Sequence, residues 1–370
     1  MVDLSEYLYP AQLFIMHCTV IDILQHMAIA QQSSEQPGMI PGWRSHGLMG
    51  WTRSERTLFF SSAVAFVLKS HLQIMDGDER ACAEGIIREA NAHYGRFWNV
   101  SRPSVNFWSR RPREWFPGGR LLHRFRFFDL PDDVDSTAMV MLTDGTDTAT
   151  VQQFHDLLPR HANTVRLCLR NGCEAYRHMP FYSTWLGEKM PIEMDVCVLT
   201  NLMFLFWKSG VALNQHDAAT RELLHLVVGS GKIVCDAFRL SPEYPRAALI
   251  YYHLSRLAAL VPFFFEADAM QQLRAQVLQA SCSSGTMDDL LLDNARLLLG
   301  LDPAGIMTVP GRPGRRDYWF TAGFLSVYAH PLLQRLAPLA LFHYRYHCPA
   351  FIDALVVENL LLRRQAGMSF

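Results

Sequence analysis

The chain has 370 residues, 50 % of them hydrophobic in type and only 19 % charged, and 34 basic against 35 acidic side chains leave a formal net charge of −1. That balance excludes a disordered chain, which would be polar and highly charged. It also excludes a nucleic-acid binder held by bulk positive charge. The length suffices for one large core or two ordinary domains.

The N-terminus, MVDLSEYLYP, carries Asp3 and Glu6 where a secretory signal would carry Lys or Arg. No apolar run reaches the length of a membrane span, and the stretch 247–265 is broken by His253 and Arg256. Eight cysteines are scattered without a paired short spacing, and the C-x₄-C of Cys168 and Cys173 has no second pair to complete a zinc site. These features predict a cytoplasmic chain with reduced thiols and no bound metal.

Helical periodicity predicts helices near 9–31, 54–75, 79–97, 133–142, 147–161, 194–209, 217–229, 246–261, 266–281, 286–300, 317–329 and 351–364. Capping signals agree: Asp132 and Asp133 follow Pro131, Asp217 precedes an apolar run, and Gly210, Gly229 and Gly300 follow periodic stretches. Between 165 and 186 the sequence VRLCLRNGCEAY alternates around Asn171-Gly172, which predicts a short inserted β-hairpin. Residues 33–50 and 99–131 hold clusters of Pro and Gly and predict ordered loops; both keep Trp, Phe and Met, unlike a flexible linker. One domain over 1–370 is therefore expected.

Apolar, buried-type helices start near Asp135, Asp195, Arg246 and Asp289, with amphipathic helices such as TRELLHLVV and AMQQLRAQVL between them. Alternation at roughly 50 residues predicts an inner ring of helices wrapped by an outer ring, with an irregular helical bundle as the alternative. The segment PDDVDSTAM (131–139) resembles the Asp-x-Asp-Asp-Thr-Ala motif of class II terpenoid cyclases of the squalene–hopene and diterpene type, matched here by Asp133, Asp135, Ser136, Thr137 and Ala138. RDYWFTAGFLS (316–326) is similar to an inner-helix segment of protein prenyltransferase β subunits, and Asp195-Val196-Cys197 resembles the Asp-x-Cys that supplies zinc ligands there. The resemblance implies an all-α, α/α-toroid fold and a hydrophobic substrate, most naturally an isoprenoid. The sequence departs from both patterns, with Ser136 at the last carboxylate and Phe320 at the third zinc-ligand position.

Class II cyclisation needs a carboxylic acid that is neutral and shielded from water. The resemblance assigns that role to Asp135, with Asp133 setting its protonation and Asp132 and Ser136 beside it. Burial and a neighbouring carboxylate favour the neutral acid, whereas solvent exposure at a helix start favours the carboxylate. Inner-helix residues Asp195, Cys197, Asn201, Trp207, Tyr252, Trp319 and Phe320 are expected to face the substrate. An amide at Asn201 in an apolar helix implies a partner, since an unpaired one costs about 1–3 kcal/mol. Arg120 and Arg124, in the arginine-rich segment before the motif, suit a phosphate-bearing end of the substrate. No cofactor is expected, with Mg²⁺ only as company for a diphosphate. The expected partner is a hydrophobic small molecule, with peripheral membrane contact but no membrane span and no nucleic acid. The alternative is a toroid without chemistry that binds an isoprenoid or serves in assembly.

Overall fold

In a computed structural model, residues 19–46, 51–114, 130–165, 169, 171, 174–188, 190–281, 287–303, 318–323 and 331–368 are described. They are mostly helical, with one small four-stranded antiparallel sheet.

The long helices start where capping residues stand. Thr19 caps α1 (Val20–Gln32), Asp76 caps α3 (Gly77–Asn91), Asp133 caps α4 (Val134–Thr143), Asp147 caps α5 (Thr148–Leu157), Asp195 caps α6 (Val196–Ser209) and Asn214 caps α7 (Gln215–Ser230). Each side chain accepts from a backbone N–H that the helix cannot itself satisfy. Helix α6 then stops at Gly210 (φ 65°) and α7 at Gly231 (φ 64°), left-handed positions that glycine takes without a Cβ penalty. The remaining helices are α2 (Leu58–His71), α8 (Ala237–Leu240), α9 (Ala247–Leu260), α10 (Ala267–Gln279), α11 (Met287–Leu298), α12 (Pro331–Leu336) and α13 (Pro349–Gln365).

Helix α2 packs on α4, α4 on α6, α6 on α9, α9 on α11, α11 on α13, and α13 returns to α2. Most residues of these helices are buried on every side, as a helix apolar all round must be. The more amphipathic α3, α5, α7 and α10 pack against them. The starts of the buried helices are tied together at one end. Tyr244, just before α9, donates to Asp135 in the first turn of α4. The Glu243 N–H donates to the Asp195 cap of α6 at 3.0 Å. Arg246 pairs with Asp288 of α11 at 2.6 Å.

That same end carries the sheet, in the order β2 (Thr52–Glu55), β1 (Gly42–His46), β4 (His343–His347), β3 (Phe320–Gly323). Phe320 stacks on Tyr346 at 4.5 Å and meets Phe59 and Phe60 of α2 edge-on or tilted, so the sheet sits on the start of α2. Gly42 lets β1 approach: a Cβ there would lie 2.2 Å from the Phe60 ring and 2.8 Å from the His347 carbonyl oxygen.

Three sequence expectations are corrected. The helix expected at 317–329 is strand β3 over 320–323, paired antiparallel with β4 in the register Phe320 to Tyr346. A short aromatic run satisfies helix and strand periodicity alike, and the partner strand, remote in sequence, decides it. The loop expected at 33–50 contains strand β1 for the same reason. The expected hairpin around Asn171-Gly172 has no second strand in its described part. Glu174–Tyr176 is a 3₁₀ turn, and Leu169 instead bridges forward to Ile192. Among the described residues no helix is long and apolar enough to cross a membrane.

Candidate functional site

The starts of α4, α6 and α9 gather a group of buried acids. Three short extended segments hold them in place. The Val134 N–H donates to the Thr184 carbonyl (2.9 Å), Leu186 N–H to Asp132 (3.0 Å), and Thr184 N–H to Glu193 (3.1 Å). This small ladder sets Asp133 opposite Trp185, whose indole N–H donates to the Glu193 carboxylate at 3.0 Å.

The acids do not share one environment. Asp132 is fully buried and saturated: Ser104 (2.6 Å), Asn99 (2.7 Å), Arg102 (2.8 Å), Asn106 (3.2 Å) and Arg110 all donate to it. Burial pushes its pKa up, but the bonds from Ser104, Asn99 and Arg110 outweigh burial and hold it at about 2. It is the anchor of the 99–110 loop, with no oxygen left for a ligand.

Asp133 is the opposite case. Its Oδ1 accepts the Ser136 N–H at 2.6 Å, while Oδ2 is buried and has no hydrogen-bond partner among the described residues. Burial, with the nearby Asp135, pushes it up to about 8 despite the Ser136 bond. The buried Ser136 hydroxyl stands beside this carboxyl and, like the Ser136 N–H, acts to lower its pKa. Asp195 caps α6, accepting from Cys197 N–H at 3.0 Å, Val198 N–H at 3.2 Å and the Ser241 hydroxyl, and burial lifts it to about 7. Burial and the adjacent Asp195 push Glu193 above its ordinary value. Half-buried Glu243 rises well above its ordinary value through burial and the surrounding Glu193 and Asp195.

Asp135 is 6 % exposed and engages both oxygens: Asn201 Nδ2 donates to Oδ1 at 2.7 Å and the Tyr244 hydroxyl donates to Oδ2. Burial raises its pKa against those two donors. Asn201 in turn accepts from Arg256, whose guanidinium lies over the rings of Phe66 (4.7 Å) and Tyr252 (5.2 Å). Beyond Tyr252 the polar chain continues. Its hydroxyl donates to Glu358 Oε2 at 2.8 Å, and Glu358 also takes Asn294 (2.8 Å) and His71 (2.9 Å). From Asn294 the chain passes to Asn359 (2.7 Å), Arg363 and Asp293 (2.6 Å). The buried helices are thus crossed by one hydrogen-bonded network, which begins at Asp135.

Next to the acids stands an aromatic wall. Tyr244 meets Phe59 and Phe320 at 6.2 Å each, and Phe59 meets Trp319 at 5.0 Å and Phe107 at 6.3 Å. Trp319 stacks on Phe351, and its buried indole N–H has no partner among the described residues.

Of the residues singled out in the sequence, Asp133, Asp135, Ser136, Asp195 and Asn201 come together at this end, and Trp319 and Phe320 reach it from the sheet segment rather than from a helix. Cys197 is buried behind the Asp195 cap, and burial pushes its thiol well up. Tyr252 belongs to the Glu358 part of the network. Trp207 is 54 % exposed. It follows Asn201 by about 240° around a helix of 100° per residue, which turns it to solvent. Arg120 and Arg124 lie outside the described residues. The sequence reading missed Glu193, Glu243, Tyr244 and Arg256. The pair Glu243-Tyr244 stands in the non-periodic SPEYPR segment, where no pattern marks a side chain as inward. Arg256 read only as an interruption of an apolar run.

Among the described residues no three His, Cys, Asp or Glu side chains are grouped to hold a metal ion. Chemically, the arrangement offers buried carboxyl groups whose pKa burial raises, with the aromatic wall around Tyr244 next to Asp135. No family model matches the chain, and no curated protein matches it.

Proposed function

We propose that the chain is an α/α toroid of the terpenoid-cyclase kind, acting on an isoprenoid or comparably hydrophobic substrate by protonating an alkene. The cycle of buried helices that closes from α13 onto α2, with α3, α5, α7 and α10 packed against it, supports the toroid. The chemical reading is carried by one observation. The Asp133 carboxyl, held at about 8 and so largely neutral at pH 7, has a buried oxygen with no hydrogen-bond partner among the described residues. Asp135 has both oxygens engaged and a guanidinium one side chain away. This reading therefore makes Asp133 the donor and Asp135 the flanking acid, reversing the roles that the motif resemblance implies.

In the step, the Asp133 O–H bond breaks and a C–H bond forms at the alkene carbon. The new carboxylate is met by the Ser136 N–H and by the start of α4, worth about 0.3–1 kcal/mol and up to about 2 when partly buried. The faces of Tyr244, Phe59, Trp319 and Phe320 meet the cation. Arg120 and Arg124 are the candidates for a diphosphate end, with Mg²⁺ as its counter-ion. A cytoplasmic location with peripheral contact to membranes, where such substrates dissolve, fits this reading.

A second reading, an isoprenoid-binding or assembly protein without turnover, is favoured by Ser136 at a motif carboxylate and by the complete engagement of Asp135. Incubation with linear prenyl diphosphates of several lengths, followed by product analysis, separates the two. Cyclisation that is lost in Asp133→Asn supports the first. Cyclisation that persists unchanged in that variant refutes Asp133 as the acid. Saturable binding without product establishes the second.

A further inference from the structure

The four strands carry three arginines, Arg44, Arg53 and Arg345, and one acid, Glu55, which stands 3.1 Å from Arg44. Arg345 sits in the middle of β4 (His343–His347), directly opposite Ser45 of β1 and Thr321 of β3. Thr52 of β2 stands opposite Ser45 and extends the same row. Side chains alternate along a strand, so Tyr344 and Tyr346 take one face and Arg345 the other. Tyr346 stacks on Phe320 and meets Phe60 of α2 at 6.4 Å, and Phe320 meets Tyr244, the phenol that holds Asp135. Arg345, Ser45 and Thr52 therefore share the outer face, with the sheet between them and the buried acids.

The Arg345 guanidinium has a fixed place on that face. It lies over the ring of Tyr318 at 5.1 Å, and the Arg246 guanidinium lies over the same ring at 4.7 Å. Along the strand, Phe238 of α8 stacks on His343 at 5.3 Å to one side, and Trp43 stacks on His347 at 5.6 Å to the other. The Ser45 hydroxyl is held 2.9 Å from Nε2 of His347. Two cations on one ring repel each other, and the acids nearby are already spoken for. Asp288 stands 2.6 Å from Arg246, and Asp236 stands 3.9 Å from Arg239. Arg345 is half-buried, and among the described residues it has neither an ion pair nor a hydrogen bond. A guanidinium wholly in water needs no partner. One partly withdrawn from water, beside a second cation and a row of hydroxyls, lacks a negative charge.

We propose that the outer face of the sheet binds a phosphate group, with the Arg345 fork as its main contact and the hydroxyls of Ser45 and Thr52 as further donors. A guanidinium presents two parallel N–H bonds that match two phosphate oxygens. Side chains directly opposite across antiparallel strands stand about 5 Å apart at Cβ, close enough for one small anion to meet Arg345 and Ser45 together. The sheet separates this face from Asp133 and Asp135. A molecule whose phosphate rests on Arg345 therefore does not bring its carbon chain to those acids. The ligand is a second phosphate-bearing molecule, distinct from the substrate of the proposed protonation, and the site does not depend on that chemistry.

Calorimetric titration with inorganic pyrophosphate, in the absence of divalent metal, tests the site without any turnover. Saturable binding is expected, weakened about 10-fold or more by Arg345→Gln, the factor that one charge-assisted hydrogen bond supplies. Arg345→Lys keeps the charge without the fork and is expected to fall between the two. Arg239→Gln removes a 69 % exposed arginine of the neighbouring helix and is expected to bind as the wild type does. No saturable binding, an unchanged Arg345→Gln, or an equal loss in Arg239→Gln overturns the proposal. Backbone amide shifts in the wild-type protein locate the anion even where a variant fails to fold: Ser45 and Thr52 are expected to move while Asp133 and Asn201 stay. Shifts that leave Ser45 and Thr52 in place refute the site. Geranyl diphosphate then separates a free phosphate group from the head of a prenyl substrate. Shifts at Ser45 and Thr52 that persist in Asp133→Asn support a second ligand, whereas a one-to-one complex that shifts both ends of the sheet region shows one molecule spanning them and overturns it. Loss of pyrophosphate binding in a protein that still cyclises its substrate refutes this site alone.

Discussion

Replacing Asn201 by Leu keeps the number and branching of side-chain heavy atoms at the centre of the buried network, so it opens no cavity and removes the polar bonds. Asn201 donates to Asp135 at 2.7 Å, accepts from Arg256, and is 2 % exposed. Each bond involves an ionisable partner, and such bonds contribute about 1.5–3 kcal/mol apiece. Stranding one member of a buried charged set costs about 3–5 kcal/mol. The two estimates overlap near 4 kcal/mol. At about 2.1 cal/mol/K per residue, the 370 residues unfold with an entropy of about 0.8 kcal/mol/K, so Tm should fall by about 5 °C. Urea unfolding should show a lower midpoint with an unchanged slope, since the surface exposed is the same. Adding Arg256→Met removes the stranded cation, and the double variant should recover at least about 1 kcal/mol relative to additivity. An Asn201→Leu protein within about 1 kcal/mol of the wild type, or a strictly additive double variant, would refute the reasoning.

Asp133 at about 8 and Asp195 at about 7 hold protons in the folded state that an unfolded chain releases near its ordinary carboxylate value. Their contribution is therefore fully present below about pH 4 and is lost as pH rises towards 8, at no more than about 1.4 kcal/mol per pH unit and group. Asp133→Asn should flatten the decline of stability between pH 5 and 7, and identical urea midpoints against pH in both proteins would contradict it. Asp132, at about 2, has the opposite sign, so its contribution is present above about pH 4 and lost as pH falls towards 2. Gly42→Ala forces a Cβ to within 2.2 Å of the Phe60 ring. It should cost about 1–3 kcal/mol and loosen the sheet, read as lower Tm and faster amide exchange at the β1–β4 ladder; unchanged exchange there would sink the account of why glycine stands at this position.

Local rules placed most of the helices, because their signals are carried within a few residues. Asp195 before an apolar run marks the start of α6, and Gly210 its stop, wherever the helix lies in space. Asp133 and Asp135 were likewise readable as neighbours of a helix start, and Asn201 as an amide needing a partner. The sequence could not say which acid keeps a free oxygen. That depends on Asn201 and Tyr244, which lie 66 and 109 positions from Asp135 and fill its bonds, while among the described residues no donor bonds the second oxygen of Asp133. The sheet was hidden for the same reason. Strand β1 at Gly42–His46 and strand β4 at His343–His347 are each too short to declare a period, and they exist because they pair with each other across nearly the whole chain. Local hydrogen bonds are encoded where they form, whereas strand pairing and desolvation are decided by residues that only the folded chain brings near.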